Sequence, residues 1–367
     1  MHPITYCTNI HPGETLAEIR DGLSRHGLAV KAALSPGAAF PLGLRLSGQA
    51  SQELARPGAA EAFGGWLRER GLFAVTVNGF PYGRFHDTPV KANVYLPDWR
   101  DPERLAYTLR LARVLASWLP AGEAGSISTV PLGFRRGFPE ADLPLALANL
   151  RRALAALAEL YDATGRRIRL AVEAEPGCLV ETTAEMVGLF DRLGSGPHVE
   201  EHLRVCYDCC HQALQYENPA ASLDLLARHG IRVGHVQVSS ALHLEGGDLF
   251  RLARFVEPVY LHQAVARRRD GTLVRFDDLP EALAAGLPGV ASWRVHFHLP
   301  VFVSRLPECD TTQPFLEEIL PLFPDDSPME VETYTWGVLP PELKTAEVAD
   351  SICREIAWID TARRARS

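Results

Sequence analysis

Two apolar runs decide the reading of this chain: IRLAVEAEPG (168–177) and, after a helix-like interval, LRVCYDCCHQAL (203–214). The first ends in Glu173 and Glu175, and the second reaches Asp208. A parallel strand buried on both faces is near-continuously hydrophobic, so acids closing such a run mark where the strand surfaces, at its C-terminal end. The arrangement recurs downstream. His235 and Gln237 close RVGHVQVSS (232–240), His296 and His298 lie in WRVHFHLPVF (293–302), and Glu330 and Glu332 lie in MEVETYTW (329–336). Side chains two apart share a strand face, so five segments bring oxygen or nitrogen donors to one end. In a (β/α)8 TIM barrel those ends converge on one mouth, where the fold builds its sites.

Outward from that core, strands are expected over 4–9, 42–47, 72–78 and in GSISTVPLG (125–133), alternating with helical segments. They carry His11, Arg45 and Asn78 near their ends. Pro57 and Gly58 are expected to interrupt one helix, and Gly79, Pro81 and Gly83 mark a turn-rich loop running to Trp99. The alternation breaks over about 240–292, where Asp270 and Gly271 predict a hairpin turn and DLPEALAAG (278–286) a short helix. This reads as an insertion before the last strand of a single domain covering 1–367. Strict counting gives nine strands, one more than the barrel needs, so the His296/His298 segment or a neighbour is accessory.

At 367 residues and 47% hydrophobic content, the chain can bury a large core. A net charge of -8 gives no basic footprint for nucleic acid or anionic lipid. Seven cysteines, an odd number, do not form the framework of a small secreted domain, and a reducing cytoplasm is expected. The N-terminal residues lack a basic-then-apolar leader pattern, and no apolar run approaches the ~20 residues that span a bilayer.

Glu173, Asp208, Gln237 and Glu332 offer three carboxylates and an amide oxygen, a donor set for a hard divalent cation such as Mg²⁺ or Mn²⁺. Such an ion would lower the cost of an enediolate while Glu173 and Glu332 move a proton between carbons. His296 and His298 add imidazoles, which suit zinc. His11, Arg45, Asn78, His235 and Glu175 are the candidate substrate-binding residues of the rim. Cys206, Cys209, Cys210 and His211 mimic a zinc knuckle, but continuous strand spacing sends neighbours to opposite faces, so the cysteines read as small packed side chains. The aromatic residues around Phe80, Tyr82, Phe85 and Trp99 form a packing cluster that is able to cover an apolar ligand.

The order E-x-E-P (173–176), D-x-x-H (208–211), H-x-Q (235–237) and a final strand Glu332 resembles the xylose isomerase-like superfamily of TIM barrels over most of 160–340. The resemblance implies that Glu173, Asp208, Gln237 and Glu332 bind the metal, and that His211 serves substrate or a second metal. Glu175 stands where some sugar isomerases carry lysine, which argues against their hydride-shift mechanism; with His211 or His298 it could hold a second ion. TYCTNIHPGET (5–15), VNGFPYGRFH (77–86), VYLPDWRDPERLAYT (94–108), GSISTVP (125–131), EAEPGCLVET (173–182), YDCCH (207–211), HFHLPVF (296–302) and EVETYTWGVLP (330–340) further resemble the metabolite traffic EboE family. That implies an isomerase- or epimerase-like enzyme on a small polyoxygenated or aromatic metabolite of a biosynthesis and export pathway. The alternative is a barrel that binds and passes on a metabolite unchanged. A homodimer or proteins of the same pathway are the expected partners.

Overall fold

The computed structural model describes residues 4–120, 122–325 and 327–364. Seven strands enter the barrel in chain order: β1 (Ile4–Tyr6), β2 (Phe40–Arg45), β3 (Leu72–Asn78), β4 (Ala124–Thr129), β5 (Arg167–Glu173), β6 (Leu203–Asp208) and β7 (Val233–Val238). The chain then leaves for β8 (Ser240–Glu245), β9 (Ala264–Arg268), β10 (Leu273–Phe276), β11 (Val290–Leu299) and β12 (Asp310–Thr311), and returns as β13 (Met329–Val331). The parallel order is β1-β13-β7-β6-β5-β4-β3-β2, and a parallel bridge from Cys7 to Gly43 brings the two ends together. This is a (β/α)8 TIM barrel.

The helices between the strands follow from local chemistry. Thr15 caps Leu16–Gly22 through a capping box with Glu18, Asp101 caps Pro102–Trp118, and Asn218 caps Pro219–Arg228 with proline at the first turn. Pro57 and Gly58 separate Gly48–Leu54 from Ala59–Glu69, Gly58 taking a left-handed φ of 77°. The apolar faces of these helices, with Leu111, Leu115, Leu150 and Leu154 fully buried, pack around the strands in one continuous core.

The segment that breaks the alternation is a five-stranded antiparallel sheet, ordered β10-β9-β11-β8-β12. The hairpin turns at Asp270 and Gly271 as the dipeptide predicts. The sheet reaches Thr311 and includes β11, so the His296/His298 strand is the accessory one. It has its own core around Trp293, Leu242, Leu252 and Phe255. Its sequence does not reveal this membership, because β11 is buried along most of its length as a barrel strand would be.

The barrel interior below the mouth is polar. Glu330 lies against Gly43, where an added Cβ would stand 1.7 Å from Glu330 Oε2, so only glycine admits this carboxyl. Burial pushes Glu330 up to about 8.

The helix Val348–Arg364 ties both sheets to the mouth through one buried acid. Glu355 accepts from Val301 N–H at 3.2 Å and from Thr333 Oγ1 at 2.7 Å, just past His298 and Glu332 in the chain. Burial lifts its carboxyl from 4.5 to about 7. A carboxyl raised by folding gives up its proton more readily once unfolded, so the stability it contributes at low pH is lost as pH rises from ~4.5 to ~7. Glu355→Gln should therefore gain on the wild type by up to about 3 kcal/mol between pH 4.5 and 7.5. Urea unfolding of both proteins across that range measures the difference, and parallel curves would contradict it.

Candidate metal centre

Three carboxylates meet where β5, β6 and β13 end. Ligand oxygens of Glu173, Asp208 and Glu332 lie within 4.8 Å of one another, on side chains that are all buried. Glu332 Oε1 accepts from Asn9 Nδ2 at 2.8 Å and Asn78 Nδ2 at 2.9 Å. Asp208 caps the short helix Cys209–Leu214: its Oδ1 accepts from His211 N–H at 3.0 Å and Ser239 Oγ at 2.7 Å. Burial raises Glu173 and Glu332, and the neighbouring acids add to the rise. Burial also works against a charge on Asp208, but His211, His298 and its two donors outweigh it and hold that carboxyl low.

Several buried oxygens here have no protein partner. Glu173 Oε2, Asp208 Oδ2 and both polar atoms of the Gln237 side chain are unpaired. Gln237 lies in register with Asp208 on one side and Glu330 on the other. Buried polar groups are normally satisfied, and a cluster of acids left without cation or proton costs several kcal/mol. A hard divalent cation satisfies both conditions, so Glu173, Asp208, Gln237 and Glu332 fit the ion that their residue types suggest.

A second set of donors adjoins the first. His211 Nδ1 donates to the Ala174 carbonyl at 2.8 Å, His296 Nδ1 to Gln263 Oε1 at 2.6 Å, and His298 Nδ1 to the Glu332 carbonyl at 2.7 Å. Each acceptor fixes the proton on Nδ1 and leaves Nε2 as the free ligand atom, the usual support for a metal-binding imidazole. Those Nε2 atoms converge, with His211 to His296 at 3.3 Å and His296 to His298 at 3.0 Å. Nitrogens that close need a proton or a metal ion between them. Burial opposes charge on all three, driving His296 well down and His298 to about 4, yet Asp208, Glu175 and Glu173 bring His211 up to about 9. A protonated His211 is thus the metal-free counterpart of the same cation site. Asp208 belongs to both sets, and Glu175 Oε2 stands 3.2 Å from His211 Nε2.

Asn78, Glu175 and His298 line the cavity together with Glu173, His211 and Glu332. His11, Arg45 and His235 do not. His11 bonds Tyr6 OH at 3.2 Å and stacks on His26 at 4.7 Å. Arg45 ends its strand as expected, but Glu14 at 2.8 Å and the Gly13 and Gly83 carbonyls take its guanidinium and turn it into a loop fastener. His235 sits two residues before Gln237 and therefore ~6.6 Å deeper. There it bonds Ser126 Oγ at 2.7 Å and Cys206 Sγ at 3.1 Å, and burial keeps it neutral with a pKa of about 3.

The cysteine reading is corrected in one respect. The strand stops at Asp208 and a helix begins at Cys209, so strand alternation does not extend to Cys209 and Cys210. Cys206 and Cys209 are packed as expected, but Cys210 Sγ lies within 4.8 Å of ligand nitrogens of His296 and His298. Asn9, Gln263, Tyr95 and Tyr334 also join the site. Asn9 lies just past a strand end and was within reach of the strand-end argument; the other three carry no sequence signal.

A closed parallel barrel with its donors gathered at the C-terminal mouth defines a TIM barrel with a candidate metal centre. The chain belongs to the xylose isomerase-like TIM barrel family, whose model matches residues 14–288. No curated protein matches it in sequence. Among solved structures, it is similar to a xylose isomerase-like TIM barrel protein from Mycobacterium smegmatis in complex with magnesium, at 12% identity and TM-score 0.56 over 99% of this chain and 97% of that one. L-ribulose 3-epimerase aligns at 11% identity and TM-score 0.52 over 100% and 97%. The IolI protein with a bound zinc atom aligns at 11% and 0.50 over 100% and 99%. At these identities the likeness is one of fold. Among the described residues, no helix is long and apolar enough to cross a membrane.

Proposed function

We propose that this protein is a metal-dependent isomerase- or epimerase-like enzyme acting on a small oxygenated metabolite. The observation that carries this reading is the pair of unpartnered oxygens on Glu173 and Asp208 beside Glu332 at the mouth of a barrel, with the unpartnered Gln237 in register with Asp208 on the next strand. Proteins of similar fold include an epimerase and two with bound magnesium or zinc, which supports the reaction class and a metal of the Mg, Mn or Zn type. A bound divalent ion would supply Lewis acidity toward adjacent carbonyl and hydroxyl oxygens.

The chain's own groups supply the rest. Glu173, which lines the cavity, is placed to take a proton from a substrate carbon, with Glu332 beside it to return one. Burial and the neighbouring acids raise both carboxyls, the direction that suits groups exchanging a proton with a carbon. His211 and Glu175 position the substrate's oxygens, and Asn9 and Asn78 hold Glu332 in place. The barrel and the small sheet act as one unit, because each supplies ligands to the centre.

A specific observation keeps a second reading in view. The loop after β3 is clamped over the mouth by Lys91, whose Nζ bonds the Glu257 carbonyl at 3.1 Å, the Tyr260 carbonyl at 2.6 Å and Asp278 Oδ2 at 2.7 Å. A covered site also suits a carrier that holds a metabolite unchanged. The finer assignment to the EboE family, with its export pathway, cytoplasmic location and pathway partners or homodimer, rests on the sequence segments that resemble that family and is part of this proposal. Incubating manganese-loaded protein in D2O with L-ribulose and related ketoses separates the two readings. Metal-dependent deuterium uptake at carbon supports the enzyme, whereas bound but unlabelled ligand contradicts it.

A further inference from the structure

Above the donor floor, the cavity wall is apolar and aromatic. Phe80 and Phe85 come from the loop after β3, Tyr260 and Leu261 from the segment between β8 and β9, and Tyr334 from beyond β13. Phe85, Tyr260 and Tyr334 contact one another with centroids 4.9 to 5.3 Å apart, and Tyr334 leans on His298 at 4.5 Å. Above the histidine floor, Lys91 is the lysine among the described lining residues, which include no arginine, and its ammonium is held by two carbonyls and Asp278.

Most polar side chains of the wall are engaged as well, Asn9 Oδ1 and the Tyr260 hydroxyl being the exceptions among the described lining residues. Asn78 gives Nδ2 to Glu332 and takes the Phe80 N–H on Oδ1. Gln263 gives Nε2 to Tyr95 OH and the Pro176 carbonyl and takes His296 on Oε1, and Tyr95 OH bonds Glu175. Hydroxyls spread around a sugar would therefore meet few free partners away from the floor, and buried unpaired hydroxyls cost binding. A phosphate would find no available cation on the wall.

We propose that the ligand is a phosphate-free six-membered ring whose one edge carries an adjacent carbonyl and hydroxyl toward the metal centre, with its apolar body against Phe85, Tyr260 and Tyr334; catechol is the non-reacting mimic of its planar enediolate. This rests on the reading of the donor floor as a metal site. The cavity itself is small, about 50 Å³, so binding a ring requires the wall to open.

Titration calorimetry of the manganese-loaded full chain with catechol, D-ribulose and D-ribulose 5-phosphate tests this, with metal content measured on the same samples. Catechol should bind at least ~10-fold more tightly than D-ribulose, and the phosphate should add nothing. Phe85→Ala and Tyr260→Ala should each weaken catechol binding by about 10-fold at unchanged metal content. Either sugar matching catechol, no catechol binding to metal-filled protein, or both variants binding as the wild type would overturn the ligand class alone. Protein that holds no metal would overturn the metal reading along with it.

Discussion

Asp208→Asn should lower affinity for divalent cations by ~100-fold or more while leaving the barrel folded. The substitution keeps the volume and the Oδ1 acceptor that caps His211 N–H and receives Ser239 Oγ. It removes the charge and turns the unpartnered Oδ2 into an amide donor facing the other ligands. The effect is large because Asp208 is common to both donor sets, so a single change weakens the carboxylate floor and the histidine cluster together. Metal competition titrations on dialysed protein give the affinity, and far-UV circular dichroism reports the fold. Unchanged affinity would place the ion elsewhere.

His298→Ala should lower the number of tightly held ions by one rather than abolish binding. Its Nε2 stands 3.0 Å from that of His296, and its Nδ1 is held by the Glu332 carbonyl, so its loss opens the histidine cluster but leaves Glu173, Asp208, Gln237 and Glu332 in place. The remaining site should keep its preference for hard cations, while zinc competes less well once imidazole is gone. Plasma mass spectrometry of wild type and variant, each loaded with manganese and then zinc, gives the stoichiometries. Equal numbers in both proteins would remove His298 from the ligand set.

The contrast between what the sequence shows and what it hides comes from the range of the forces involved. The strand-end pattern is local: continuous apolar runs and period-two alternation bring Glu173, Asp208, Gln237 and Glu332 to strand ends without any tertiary knowledge, while setting those four apart from neighbours such as His235 and Glu330 rests on the family resemblance. The caps at Asn218 and Asp101 are equally local. What is not local is where a long side chain turns at its strand end. Arg45 is at the expected position, yet Glu14 captures it from 31 residues away. His235 has the right face but the wrong depth, one pleat below the mouth. The accessory standing of β11 depends on which strands it pairs with, β8 and β9, and a buried strand carries no label for its neighbours. Cys210 gains its place beside His296 and His298 from a helix that starts directly after Asp208, a change of period that a short apolar run does not announce.

The polar interior explains why the site stands where it does. Glu330 and His235, 3.5 Å apart, with burial raising the carboxyl to about 8 and lowering the imidazole to about 3, occupy the layer beneath the mouth, where bulky aliphatic side chains fill most such barrels. Small neighbours at Gly43, Thr76, Ser126 and Cys206 make room for them. The acids of the mouth thus rest on a layer that brings no positive charge, and they are balanced at the mouth itself, by a bound cation or, in its place, by a protonated His211.

Anomalous diffraction from crystals of manganese- or zinc-loaded protein, collected above the metal's absorption edge, locates that charge. A peak should lie among Glu173, Asp208, Gln237 and Glu332, with a second beside the Nε2 atoms of His211, His296 and His298. Fully loaded crystals with no peak among these seven side chains, or with the metal only at the surface, would contradict the account.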